Sequence, residues 1–154
     1  MKTKITLALV AVFLLGLSFT AGFSYARRLA KPNPSAVISQ QKASREDFEW
    51  GSLYTYYTDE TYGTKDLLAA VAVIKPGMEI HPPHLHAEEE FLMVTEGEGT
   101  WSMNGKTFPA QAGDMQYAAP WDEHGITNTG TTPLTFVVWK WNNKGVKVPK
   151  QPSH

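Results

Sequence analysis

The chain has 154 residues, a hydrophobic fraction of 42%, a formal charge of −1 and a pI near 6.5. That length suits one domain with a core of its own, and the near-neutral balance lacks the basic excess with which nucleic-acid binders neutralise phosphates. There is no cysteine, so stability has to come without disulfides and any metal has to be held without thiolates.

Lys2 and Lys4 precede an apolar run from Ile5 to Leu17 that only Thr6 and Gly16 interrupt, and Ser24 and Ala26 are small residues suited to a cleavage site. This predicts a secretory signal peptide over residues 1–26 and a periplasmic or secreted protein. Residues 5–23 also approach the roughly 20 needed to span a bilayer, so an uncleaved segment would anchor the chain to a membrane. Residues 27–50, with Pro32 and Pro34 close together and little apolar periodicity, predict an extended linker, with at most a helical turn at Ser44 to Phe48.

Residues 51–145 read as strands. Leu53 to Tyr57 is aromatic and β-branched, Leu67 to Ile74 is apolar and ends at Pro76-Gly77, and Phe91 to Thr95 ends at Glu96-Gly97. Gly99 to Met103 and Lys106 to Phe108 flank Asn104-Gly105, a pair that favours a type I′ hairpin turn. Asp114 to Ala118, Gly125 to Asn128 and Leu134 to Trp141 follow, each set off by Gly or Pro. Short strands with frequent turn signals predict an antiparallel β-sandwich or barrel. Residues 146–154, rich in lysine and proline, predict a flexible tail.

One stretch carries the chemistry: His84-Leu85-His86-Ala87-Glu88-Glu89-Glu90, with His124 further on. Two imidazoles two residues apart on an extended segment point to the same side. A carboxylate and a distant imidazole can then complete a cage around a metal ion. Of the five histidines, only the terminal His154 lies far from this stretch in sequence or pattern; His81 sits just before it. Imidazoles with a carboxylate suit a divalent transition metal (iron, manganese, nickel, copper or zinc) better than calcium or magnesium. Parity sorts the acidic triplet into Glu90 with Leu92 and Val94, and Glu89 with Phe91 and Met93.

These residues resemble the two motifs of the cupins, small jelly-roll β-barrels. The first motif runs Gly77, His84-x-His86, Glu90 and Gly97; the second runs Gly113, Pro120, His124 and Asn128. The resemblance spans Tyr54 to Trp141. It implies an all-β, antiparallel jelly-roll β-barrel in which His84, His86, Glu90 and His124 hold the metal and Glu90 can double as a catalytic base. If Glu90 faces inward, Phe91 and Met93 form an outer apolar strip suited to a homodimer contact. His81 and Trp121, on loops at the barrel mouth, are candidates to line the substrate site. The resemblance further implies a metal-dependent enzyme, dioxygenase-like, that acts on a small organic molecule. A metal-dependent isomerase or lyase, or a non-catalytic small-ligand or metal-binding module outside the cytoplasm, are the alternatives. Two departures fall in loops: Asp122 stands where the family usually has glycine, and the Gly77-to-His84 interval is one residue longer than the common form.

Overall fold

Alternating burial organises residues 35–153, which the computed structural model describes, into two antiparallel sheets. Among these residues the strands are β1 (Ser44–Phe48), β2 (Gly51–Tyr57), β3 (Thr64–Ile74), β4 (Glu89–Glu96), β5 (Glu98–Met103), β6 (Lys106–Gln111), β7 (Met115–Ala118), β8 (His124–Thr127) and β9 (Leu134–Asn143). One sheet has the order β1-β2-β3-β9-β4-β7 and the other β6-β5-β8. This is the expected all-β jelly-roll arrangement.

The core lies between the sheets. Ala70, Ala72 and Ile74 of β3, Leu92 and Val94 of β4, and Leu134, Phe136 and Val138 of β9 face Trp101, Ala110 and Ile126 of the smaller sheet. Each large side chain so enclosed contributes about 1.5–3 kcal/mol. Burial along β4 alternates as parity requires, with Glu90, Leu92 and Val94 inward. At the β5–β6 hairpin Asn104 and Gly105 have φ of 49° and 74°, the left-handed pair that a type I′ turn demands.

One expectation from the sequence needs correction here. Residues 44–48, read as part of a linker, form β1 and pair with β2 from Ser44↔Thr55 to Phe48↔Gly51. All five are exposed, so no apolar alternation announces the strand. It is held by its ladder, by Phe48 stacked on Trp50 at 5.0 Å, and by Asp47, which accepts bonds from Ser52 and Arg45 at 2.6 and 2.8 Å. A charged, exposed edge of this kind also discourages pairing with other chains. In the tail, which has no regular structure over residues 147–153, the Pro149 carbonyl accepts a 2.9 Å bond from the Trp121 indole. Residues 1–26, expected to be a signal peptide, and residues 27–34 lie outside the described residues, and among those described no helix is long and apolar enough to cross a membrane.

Candidate metal centre

The two halves of the site are sewn together by main chain. His84 N–H donates to the His124 carbonyl at 3.0 Å and His124 N–H donates back at 2.9 Å, so one residue of the 81–88 loop is registered on the first residue of β8. Gly125 permits this approach: a Cβ there would lie 3.2 Å from Pro83 Cα. The extended path through Leu85 puts His84 and His86 on the same side, their rings 5.1 Å apart, while Leu85 faces out. The His84–His124 and His86–His124 ring distances are 4.7 and 4.9 Å.

One ring nitrogen from each of His84, His86 and His124 lies within 4.8 Å of the others, a group that could hold a metal ion. Glu90, only 6% exposed at the start of β4, touches two of them: Oε2 is 3.1 Å from His86 Nε2 and Oε1 is 3.4 Å from His124 Nε2. All four residues singled out in the sequence therefore meet, with Glu90 flanking the three imidazoles.

The tautomers show how well this group fits a cation. His86 Nδ1 lies 3.1 Å from the Glu88 carbonyl and His124 Nδ1 lies 2.8 Å from the Asp122 carbonyl. A carbonyl only accepts, so each Nδ1 carries the hydrogen and each Nε2 turns a lone pair toward the Glu90 carboxylate. Lone pair against carboxylate is repulsive unless a proton or a metal ion lies between. His84 Nδ1 and His124 Nε2 are buried and have no hydrogen-bond partner, and at His124 Nε2, which faces Glu90, a bound cation would relieve that state. The donor set thus fits a divalent transition metal.

Without metal, the charges settle around protons. Burial, then the neighbouring His81, His124 and His86, push His84 down to about 4, so it remains a neutral ligand. Burial would raise Glu90, but the His124 and His86 rings outweigh it and hold the carboxyl at about 2. Burial likewise disfavours charge on His124, and the Glu90 carboxylate and Asp122 carbonyl overcome it and raise its pKa. Glu90 is therefore an anion across the neutral range, which suits a ligand. A base so depressed is weak at neutral pH.

Glu89 points the other way and accepts a 3.1 Å bond from Tyr117 Oη. Glu89→Gln is expected to keep its metal while Glu90→Gln loses most of it, as read by elemental analysis. The reverse pattern would place the ligand one residue off.

Beside the imidazoles lies a cavity of about 150 Å³, walled by Leu53, Leu68, Ile80, Ile126, Phe136 and Val138. His81 reaches its rim, with its ring 4.0 Å from that of His84. Lys140 also lines it. Its parity with Phe136 and Val138 was the signal for this inward position, and charge alone concealed it.

Trp121 does not line the cavity, contrary to expectation. Its φ is +69°, so the left-handed position of this loop falls on Trp121 rather than on Asp122, and the indole turns toward the C-terminal segment. Its backbone N–H donates to the His86 carbonyl at 2.7 Å while Nε1 donates to Pro149 O, so Trp121 links the tail to a histidine of the site. Trp121→Ala removes one net hydrogen bond of about 1 kcal/mol, and should speed metal release to a chelator about five-fold without lowering metal content. An unchanged release rate would show that the link does not bear on His86.

Comparison with known proteins agrees with this architecture. Residues 70–140 match the Cupin domain family. An oxalate-binding protein of Thermotoga maritima is 30% identical over 100 residues, which cover 65% of this chain and 80% of that protein. A gentisate 1,2-dioxygenase from Streptomyces sp is 30% identical over 77 residues, 49% of this chain but 21% of that enzyme. Among solved structures, a Thermotoga maritima protein described as a predicted oxalate decarboxylase superposes with a TM-score of 0.61 at 26% identity, over 69% of this chain and 98% of that one. An RmlC-like cupin from Shewanella frigidimarina shares the fold with a TM-score of 0.59 at 19% identity, over 73% and 95% of the two chains. A relative matched over most of its own length, on a barrel whose two motif halves close on one histidine cluster, settles the kinship: this chain carries one small cupin domain and belongs to the cupin family.

Proposed function

We propose that the protein is a metal-dependent enzyme, dioxygenase-like in chemistry, acting on a small organic molecule outside the cytoplasm. The observation that carries this reading is the meeting of three imidazoles and the Glu90 carboxylate beside an apolar cavity of about 150 Å³. In this reading His84, His86, Glu90 and His124 are the ligands, and the bound ion supplies Lewis acidity and, if redox-active, electron exchange with dioxygen. The chain's own contribution is to fix the ligands, through the Glu88 and Asp122 carbonyls and the His84–His124 main-chain pair, and to exclude water with aliphatic walls.

The test is oxygen uptake by protein loaded in turn with iron, manganese, nickel and copper, against diketone, phenolic and flavonoid substrates. Metal-dependent uptake with product is expected. Product without uptake would indicate isomerase or lyase chemistry, and metal binding with no turnover would contradict the enzyme reading. A second reading, a non-catalytic binding module, draws support from the Thermotoga relative named for binding oxalate.

Export is proposed from residues 1–26, and a mature protein beginning at Arg27 in a periplasmic or culture fraction is the expected result. A homodimer is proposed through the outer face of the larger sheet, where Phe91 stacks on Trp141 at 5.8 Å and lies 4.8 Å from Tyr117, with Met115 and Trp139 exposed nearby. Sedimentation equilibrium at twice the chain mass is expected.

A further inference from the structure

The cavity beside the histidines contains one group that neither the ligand set nor the core accounts for. On β9, Phe136, Val138 and Lys140 share the inward face, and Lys140 stands opposite Glu90 of β4 on one side and Leu68 of β3 on the other. All five line the same cavity. Lysine is rarely turned inward unless it is paired. Yet among the described residues no carboxylate lies within ion-pair distance of Lys140, because Glu90, the nearest in register, is engaged with His86 and His124. Lys140 as a residue is partly buried, on the inward-facing parity of β9.

From this arrangement we infer that Lys140 is the anion anchor of the cavity and that the ligand is a small organic carboxylate with an adjacent oxygen donor and a hydrocarbon body. The inference rests on the metal-centre reading above and adds a substrate class to it. Each part of the ligand answers one part of the cavity. The carboxylate meets the unpaired ammonium in a charge-assisted hydrogen bond. The adjacent oxygen faces the histidine cluster, where His124 Nε2, unpartnered and facing Glu90, marks the cation position. The hydrocarbon body lies against Leu53, Leu68, Ile126 and Phe136. A cavity of about 150 Å³ has room for one small ring. Oxalate would leave those aliphatic walls uncovered, and a neutral phenol would leave Lys140 unpaired.

Calorimetric titration of the zinc-loaded protein tests this, with 2-hydroxybenzoate, its neutral analogue 2-hydroxybenzyl alcohol, and oxalate as probes, after metal content is measured in each sample. Wild type should bind 2-hydroxybenzoate at least about 10-fold tighter than either other probe. Lys140→Met, close in volume, should keep its zinc and its affinity for the alcohol while losing about 10- to 100-fold for the acid, and Lys140→Arg should retain the preference for the acid. Equal affinity of wild type for acid and alcohol, an equal loss of both in Lys140→Met, or no binding of any probe by zinc-loaded protein would overturn the inference. Failure of the metal-centre reading is seen separately, as wild-type protein that takes up no zinc.

Discussion

His124→Ala is expected to lose metal affinity by more than about 100-fold, since even residues that only orient a metal-bound histidine are worth about 10- to 100-fold. His124 supplies the one ligand from the second motif, is 1% exposed, and has an Nε2 with no other partner. The barrel should survive, because the reciprocal His84–His124 bonds run through main chain and the aliphatic core lies elsewhere. Dialysis against metal followed by elemental analysis reads the loss, and an unchanged far-ultraviolet spectrum shows the fold is kept. The variant also changes the acid response of the metal-free protein. A carboxyl held at about 2 against an ordinary 4.5 stabilises the folded state fully above 4.5, and that contribution falls away as pH drops toward 2. With His124 gone, one of the two rings that depress Glu90 is removed and the contribution shrinks, so acid unfolding of the variant should begin at higher pH. Wild-type metal content in this variant would remove His124 from the site.

Asn128→Ala is the substitution expected to cost most stability, about 3–5 kcal/mol: it leaves one buried and two part-buried partners unpaired at about 1–3 kcal/mol each, the part-buried two at the low end because water reaches them. Asn128 is fully buried just past β8. Its Nδ2 donates to the Ile74 and Thr132 carbonyls at 2.8 and 2.9 Å, and its Oδ1 accepts from Gly130 N–H at 3.0 Å. Its main chain bonds Met78 and Gly77 at 2.9 Å, so it joins the end of the β3 turn to the strand that begins with His124. A loss of this size removes much of a typical domain's total of about 5–15 kcal/mol. Asn128→Asp should be no milder, since carboxylate oxygens would face carbonyls at both Nδ2 contacts. Urea denaturation measures both, and a change under about 1 kcal/mol would show that the network relaxes around the gap.

The match to the second cupin motif marked Asn128 in the sequence, and the structure explains its place by hydrogen bonds. Glu90 was legible for a different reason: period-two alternation puts it with Leu92 and Val94, and a buried face admits only one register. Asn104-Gly105 announced its turn because few other residues accept positive φ twice in succession. β1 was hidden because a strand exposed along its whole length has no apolar period to show. The outward turn of Trp121 was hidden because a left-handed φ at a bulky residue is set by the surrounding loop and not by the residue itself. Lys140 obeyed the same alternation as Phe136 and Val138, but a lysine is ordinarily solvent-facing, and composition argued against parity there. Partner order was also beyond reach, since alternation marks a strand's buried face and leaves open that β9 lies between β3 and β4.

In the proposed function three imidazoles and the Glu90 carboxylate together hold a metal ion. Elemental analysis of the wild-type domain, stripped with chelator and then equilibrated with cobalt, zinc or nickel, tests it most directly. About one tightly held ion per chain is predicted from a single four-ligand site, and a folded protein that retains no ion after removal of the excess would contradict it.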